Sequence, residues 1–130
     1  MRAVRVITVL ELPREMSHPK CQPERYRPVV QFIKDWNAAP AQRQEMLCGG
    51  RAPTGGRAAD LALVAAVVHG LCARDGFAIP EWVASHRLAD PITMSGRPVD
   101  SAWGRWVASQ APAVCSQHGV YYEADTLGLR

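Results

Sequence analysis

Three pairs of histidine and cysteine, each three residues apart, have the spacing best suited to metal chemistry in this sequence. The pairs are His18 with Cys21, His69 with Cys72, and Cys115 with His118. This spacing can serve zinc, and on a helix His69 and Cys72 would share a face. Structural zinc sites usually present Cys-x-x-Cys knuckles, however, and the sequence has none. Cys72 and Cys115 stand among apolar residues, where a free cysteine commonly acts as a small hydrophobe. We therefore predict core cysteines, no metal site and no cofactor.

Catalytic motifs are missing from the sequence. A nucleophile needs a base within hydrogen-bonding reach, and the chain has no Gly-x-Ser-x-Gly, no Walker loop and no dinucleotide fingerprint. The glycine-rich residues 49–56 lack the Gly-Lys-Ser/Thr ending of a phosphate-binding loop. Glu123 and Asp125 fall on one face of an extended segment, where solvation is the default. His69 and His118 are the remaining basis for an enzyme, and no acid stands beside them to orient them. We predict a protein without catalytic residues.

The aromatic residues remain as candidates for binding a partner. Trp and Tyr anchor many protein interfaces because each combines a large apolar area with a polar tip. At helical spacing beside Val and Leu they are more often core, so only one or two tryptophans are expected on the surface. The predicted partner-binding residues are Trp103, Trp106, Tyr121 and Tyr122. Trp103 and Trp106 would be helical neighbours, whereas Tyr121 and Tyr122 on a strand would point to opposite faces, which leaves one of each pair outside the core.

Length and charge limit the class of protein. The 130 residues, 48% of them hydrophobic, fit one domain with its own core. The formal net charge of +3 is too small an excess to favour direct binding of nucleic acid, whose partners concentrate Lys and Arg on one face. No apolar run approaches the roughly 18 residues of a membrane span, and no signal-peptide cleavage site follows the N-terminus. We expect a cytoplasmic protein with reduced thiols that does not enter a membrane.

Helices are the elements expected to position these residues. Residues 1–12 alternate loosely and are rich in β-branched side chains, which predicts a strand, and the prolines up to residue 28 predict a linker or wrapping arm. Apolar periodicity predicts helices near 28–37, 42–47, 60–74, 81–85 and 101–109, then a turn from Pro112 and a β-like segment at 120–122. The 60–74 helix is apolar on most sides and should be buried centrally, with Gly76 at its end. The predicted fold is mainly α, a small single-domain bundle of about four to five helices with one or two short strands at the termini.

One ordered series of residues resembles a known family. The series consists of Phe32-Ile33-Lys34-Asp35 with Ala39-Pro40, Thr54-Gly55, the helix from Leu61 to His69, Gly76-Phe77-Ala78-Ile79-Pro80-Glu81-Trp82, Ala111-Pro112-Ala113-Val114-Cys115, and the segment from Gly119 to Leu127. In this order it resembles the C-terminal domain of actinobacterial antitoxin-type regulators, which are associated with helix-turn-helix domains. The resemblance divides the chain into an N-terminal strand and proline-rich arm, residues 1–28, and a helical antitoxin-like domain, residues 29–130.

The resemblance implies a binding module that neutralises a toxin. Many members of the family are encoded beside nucleotidyltransferase-like toxins, so the expected partner is a cognate toxin of that kind. Members usually carry a helix-turn-helix domain ahead of this region, and residues 1–28 are too short and too rich in proline to form one. Cys115 stands where the family tends to have Phe, and Ser116 and Gln117 replace residues that are often Arg, so a contact made by those arginines is not carried over. The alternative is a transcriptional regulator, or its accessory subunit, acting with a separate DNA-binding chain.

Overall fold

The computed structural model describes residues 6–17, 26–93 and 99–122, and these residues are mainly helical. The α-helices are α1 (Leu12–Ser17), α2 (Arg27–Ala38), α3 (Arg43–Met46), α4 (Ala58–Asp75), α5 (Ala102–Gln110) and α6 (Val114–His118). Short 3-10 helices cover Pro40–Gln42, Cys48–Gly50 and Glu81–Ser85, and the two strands are β1 (Ile92–Thr93) and β2 (Val120–Tyr121). The predicted fold class, a mainly helical small domain with short strands, is confirmed.

Helix α4 lies at the centre of the fold because it is apolar nearly all round. Every side chain from Ala62 to Val68 is buried, and so are Leu71 and Cys72. Helices α1 and α6, the 3-10 helix Glu81–Ser85 and strand β2 all contact α4, so it needs apolar side chains in several directions. Gly76 ends the helix with a left-handed φ of 76°, and its N–H donates to the carbonyl of Cys72. Both the central helix and its glycine end confirm the sequence prediction.

Helix α2 packs one apolar stripe into the core. Its buried residues follow the predicted i, i+3, i+4, i+7 spacing and are Val29, Phe32, Ile33 and Trp36. Pro28 lies in the first turn, where the missing N–H would have no intrahelical partner in any case. The ring of Trp36 meets Phe77 edge to face, with centroids 5.2 Å apart. This contact joins α2 to the segment that follows α4.

The predicted N-terminal strand and arm are wrong in their described part. Residues 6–11 form coil and turn, and α1 begins at Leu12 where a linker was expected. Leu12 and Met16 are fully buried, and α1 contacts both α2 and α4. Pro13 occupies the first turn of α1, a position at which proline is compatible with a helix. Residues 1–5 and 18–25, the rest of that predicted region, lie outside the described residues.

The two strands pair in parallel, and only β2 was predicted. Ile92 lies opposite Val120, and Thr93 opposite Tyr121, although residues 87–100 were expected to be loop. Two further backbone bonds extend the pairing: Leu88 N–H donates to the carbonyl of His118 at 3.0 Å, and Ile92 N–H to that of Gly119 at 2.9 Å. These bonds hold residues 86–93 against the end of α6.

A polar network around Asp75 ties the end of α4 to α2. Oδ2 of Asp75 accepts from Trp36 Nε1 at 2.6 Å and from Arg74 Nη2 at 2.8 Å, and Arg43 Nη1 lies 3.8 Å away. The Arg43 guanidinium also sits 5.2 Å from the centroid of the Trp36 ring. The hydrogen bond from Arg74, with that from Trp36 and the attraction of Arg74 and Arg43, lowers the pKa of Asp75 to about 2.

Acid should weaken the fold through Asp75. Its folded pKa of about 2 lies below the ordinary value of 3.8, so the stabilisation is present above the unfolded pKa and is lost as the pH falls towards 2. Asp75→Asn removes this charge at every pH. We expect the variant to unfold with a free energy about 1 kcal/mol lower than the natural chain at neutral pH, a value reduced for solvent screening, and the difference to vanish near pH 2. Urea unfolding across this range measures it, and a difference independent of pH would contradict the role of the charge.

Candidate functional site

His69 and His118 meet beside a pocket, although they are far apart in the sequence. Nδ1 of His69 lies 3.1 Å from Nε2 of His118, and the two rings stand nearly perpendicular with centroids 5.4 Å apart. Helix α4 carries His69, and His118 is the last residue of α6, which packs against α4. Both histidines are candidates in the sequence, but each belongs there to a separate His/Cys pair. No feature of the sequence indicates that the two histidines come together.

The hydrogen bond at Nδ1 of His118 determines which ring nitrogens of the two histidines carry a hydrogen. Nδ1 of His118 lies 2.8 Å from the backbone carbonyl of His86, which can only accept, so Nδ1 carries the hydrogen. Neutral His118 then accepts at Nε2, and the donor in the contact between the rings is Nδ1–H of His69. Burial, the main cause, lowers the pKa of His118, and the nearby His69 and Arg87 add to this effect although the His86 carbonyl opposes it. His118 is therefore a neutral acceptor at neutral pH.

A pocket of about 330 Å³ opens next to the two rings. Its apolar wall is formed by Ile79, Pro80, Val83 and Ala84. Besides the two histidines, its polar lining consists of Glu81, Arg87 and Gln117. Arg87 Nε donates to the backbone carbonyl of Gln117 at 2.6 Å, which holds the guanidinium at the pocket. The pocket thus combines a basic side chain, an ordered pair of imidazoles and an apolar wall.

Local sequence features place the walls of this pocket. Pro80 precedes the 3-10 helix Glu81–Ser85, whose Trp82 and Val83 are buried as predicted. The ring of Trp82 contacts that of His86, with centroids 5.8 Å apart. Gly119 has a left-handed φ of 73°, and a Cβ at this position would stand 2.7 Å from the carbonyl oxygen of Leu88. Glycine therefore permits the close approach that brings the His86 carbonyl to His118.

The predicted partner-binding aromatics divide between the surface and the core. Trp103 is 40% exposed and Trp106 is 54% exposed, both on α5. Tyr121 in β2 is half-buried, whereas Tyr122 is fully buried, with its hydroxyl near Gly70. The prediction of Tyr122 as a partner-binding residue is therefore corrected, because an extended chain that turns Tyr121 outwards turns the next side chain into the core. Trp36 and Trp82 are buried, in line with the expectation that only part of the tryptophans reach the surface.

The cysteines of the described segments are core or loop thiols. Cys72 and Cys115 are fully buried, which confirms the prediction of core cysteines, and burial raises the pKa of each thiol to about 11. Both remain protonated at neutral pH. Within residues 6–17, 26–93 and 99–122, no group of three or more His, Cys, Asp or Glu is placed to hold a metal ion. Two other groups considered in the sequence lie outside these residues: the His18 and Cys21 pair, and the carboxylates of Glu123 and Asp125.

Comparisons of the chain with protein-family models, with curated proteins and with solved structures return no match. None of the described helices is both long enough and apolar enough to cross a membrane. The resemblance to antitoxin-type regulators stays a prediction of the sequence. Among the described residues, the exposed tryptophans of α5 and the pocket at His69 and His118 are candidates for a functional site.

Proposed function

We propose that this chain is a protein-binding module that neutralises a toxin by direct contact. The observation that carries the proposal is the exposed pair of tryptophans on α5, at 40% and 54% exposure. Trp103 and Trp106 are three residues apart, so they occupy neighbouring positions on the helix. Tryptophan is enriched among the residues that dominate interface energies. Two adjacent exposed indoles also form a larger apolar surface than the scattered single side chains that are normal on soluble proteins.

The fold holds these two side chains on a fixed helix. Gly104 and Val107 are the buried residues of α5 and attach its inner side to the fold. At its start, Ser101 Oγ accepts from the N–H of Gly104 at 3.0 Å, an N-cap that stabilises a short helix. The outer side carries Trp103, Trp106 and the exposed Gln110 at i, i+3 and i+7, which we call the α5 face. A preformed face binds with a smaller loss of conformational entropy than a flexible segment.

The proposed partner is a nucleotidyltransferase-like toxin, as the resemblance to antitoxin-type regulators implies. Neutralisation would follow either from covering the active site of the toxin or from holding the toxin in a complex. Interface energy concentrates in a few aromatic residues, so the two tryptophans of the α5 face are the proposed principal anchors. Half-buried Tyr121 in β2 is the additional aromatic candidate.

Alanine substitutions on the α5 face should separate binding from folding. We expect Trp103→Ala and Trp106→Ala each to weaken toxin binding by about 2 kcal/mol, roughly 30-fold in Kd, because each removes a large anchor. Stability should fall less in Trp106→Ala than in Trp103→Ala, since Trp106 is 54% exposed and Trp103 is 40% exposed. Titration calorimetry with the toxin encoded by a neighbouring gene measures the affinity, and urea unfolding measures stability.

Ile79→Ala is the matched control, because Ile79 is 44% exposed and lines the histidine pocket, outside the α5 face. It should leave toxin binding unchanged. Equal losses in all three variants would place the contact elsewhere. A pull-down from the native host that recovers no toxin-like partner, together with no rescue of growth on co-expression with the neighbouring gene, would overturn the proposed function.

A further inference from the structure

We propose that the pocket beside His69 and His118 binds a small organic anion, a carboxylate or a phosphate monoester, held between the imidazolium of His69 and the guanidinium of Arg87. This site shares no residue with the α5 face, and the proposal does not depend on toxin binding. Its volume of about 330 Å³ lies at the lower end of the range for small-ligand pockets, about 300–1,000 Å³.

His69 has one ring nitrogen left for a ligand. Its Nδ1–H is committed to Nε2 of His118 at 3.1 Å, because His118 directs its own N–H to the carbonyl of His86. Within the described part of the chain, Nε2 of His69 forms no hydrogen bond, and the residue lines the pocket. The series of hydrogen bonds that begins at the His86 carbonyl and passes through both rings therefore ends at Nε2 of His69.

A proton taken up by the two rings resides on His69. A proton added at Nε2 of His69 keeps the hydrogen bond to His118 and creates an outward N–H donor. Charge on His118 would instead require the shared hydrogen to move to its Nε2, which leaves His69 as the neutral Nε2–H tautomer, so Nε2 of His69 carries a hydrogen in either case. Burial also disfavours charge on His118, which is 2% exposed, whereas His69 is half-buried. Protonated His69 thus donates one N–H to His118 and the other to the ligand.

The charges around the pocket favour an anion. Exposed Arg87 uses Nε for the Gln117 carbonyl, and the N–H groups of a guanidinium's two Nη atoms can donate to a carboxylate or phosphate. Glu81 is the single carboxylate among the described lining residues, and His86 is the other titratable group near His118. With His69 protonated, two cations oppose one carboxylate, so the site favours an anion. Ile79 and Val83 offer an apolar wall to the organic part of the ligand.

Anion binding at this site is coupled to proton uptake. The ligand needs an N–H at Nε2 of His69, and a proton taken up by the two rings supplies it, so affinity should rise as the pH falls. Benzoate is a suitable carboxylate probe because it does not titrate near neutral pH. Inorganic phosphate is the second probe and tests whether the same site binds a phosphate group.

Calorimetric titration of the full chain with each probe, at about pH 6 and about pH 8, tests the proposal. We expect at least one probe to bind about tenfold more tightly at the lower pH, and with benzoate, which does not titrate there, the dependence of the heat on the buffer should show that the protein takes up a proton. The probe that binds more tightly identifies the ligand class. His69→Gln and Arg87→Gln should each lower affinity at the lower pH by about tenfold or more. Arg51→Gln removes the same charge from an exposed arginine outside the pocket and should leave affinity unchanged.

Nitrogen-15 NMR of the histidine rings in the natural chain keeps the proposal testable even if a substitution disturbs folding. Saturating probe should convert His69 to the imidazolium form near neutral pH while His118 stays neutral. Binding of neither probe would overturn the proposal. So would an equal loss in Arg51→Gln and Arg87→Gln, which would indicate general charge attraction, or a probe that binds while the ring signals of His69 stay unchanged.

Discussion

Replacement of Leu63 or Val67 by aspartate should destabilise this protein by about 4 kcal/mol or more. The two side chains are 2% and 0% exposed and lie in the middle of α4, which contacts helices and a strand from both parts of the chain. An aspartate there must either bury an unpaired carboxylate or displace the helix. Because a domain of this kind has a total stability of about 5–15 kcal/mol, such a loss brings a large fraction of the molecules close to unfolding.

Thermal and urea unfolding followed by circular dichroism measure this effect. Ala58→Asp is the matched control, since it introduces the same residue into the exposed first turn of the same helix, where a carboxylate interacts favourably with the helix dipole. We expect the control to change stability by less than about 0.5 kcal/mol. Unchanged unfolding midpoints in Leu63→Asp and Val67→Asp would show that α4 is not the central helix. The prediction concerns the fold and is independent of toxin or anion binding.

Local patterns made the principal helices predictable. The run of buried residues in α4 and the buried stripe of α2 both arise from apolar spacing within one segment, which a sequence displays directly. Gly76, which ends α4 with a left-handed φ of 76°, is equally local, because few other residues adopt that conformation readily. The exposure of both Trp103 and Trp106 could not be predicted from the sequence, because their spacing beside apolar residues fits a core helix as well as a surface helix.

The N-terminal segment shows how two local signals can conflict. Its β-branched residues favoured a strand, yet its residues in the hydrophobic core are Val6, Val9, Leu12 and Met16, at spacings of three and four. That period is helical, and the chain does enter α1 at Leu12. Short strands depend on their partners more than on their own residues. Strand β1, only two residues long, was missed for the same reason, because its pairing with β2 joins distant segments.

The histidine pocket was beyond the reach of sequence reasoning for a related reason. His69 and His118 are 49 residues apart, and nothing in their local spacing relates one to the other. Each instead suggested its own helical neighbour, Cys72 or Cys115, and both of these cysteines are core thiols. The ring contact arises because α6 packs against α4 and the segment before β1 supplies the His86 carbonyl. Packing of distant elements, and not motif spacing, creates this site.

Gly119→Ala should destabilise the protein by about 3 kcal/mol. A non-glycine residue at its φ of 73° carries a backbone penalty of about 1 kcal/mol. The new Cβ would also stand 2.7 Å from the backbone oxygen of Leu88, which cannot rotate away as a flexible side chain could. Residues 86–93 would have to shift, and the bond from Leu88 N–H to the His118 carbonyl would lengthen from 3.0 Å.

Gly76→Ala separates the backbone penalty from the steric contact with Leu88. Gly76 has a similar φ of 76°, but a Cβ added there would meet nothing within 4 Å. We expect it to destabilise by about 1 kcal/mol, so that urea unfolding of the two variants differs by about 2 kcal/mol. The shift in Gly119→Ala should also disturb the NMR signal of the His118 ring, since the His86 carbonyl that binds Nδ1 lies on the displaced segment. Equal destabilisation by both substitutions, with an unchanged His118 signal, would mean that Gly119 is required only for its φ and that the Leu88 contact does not position the pocket.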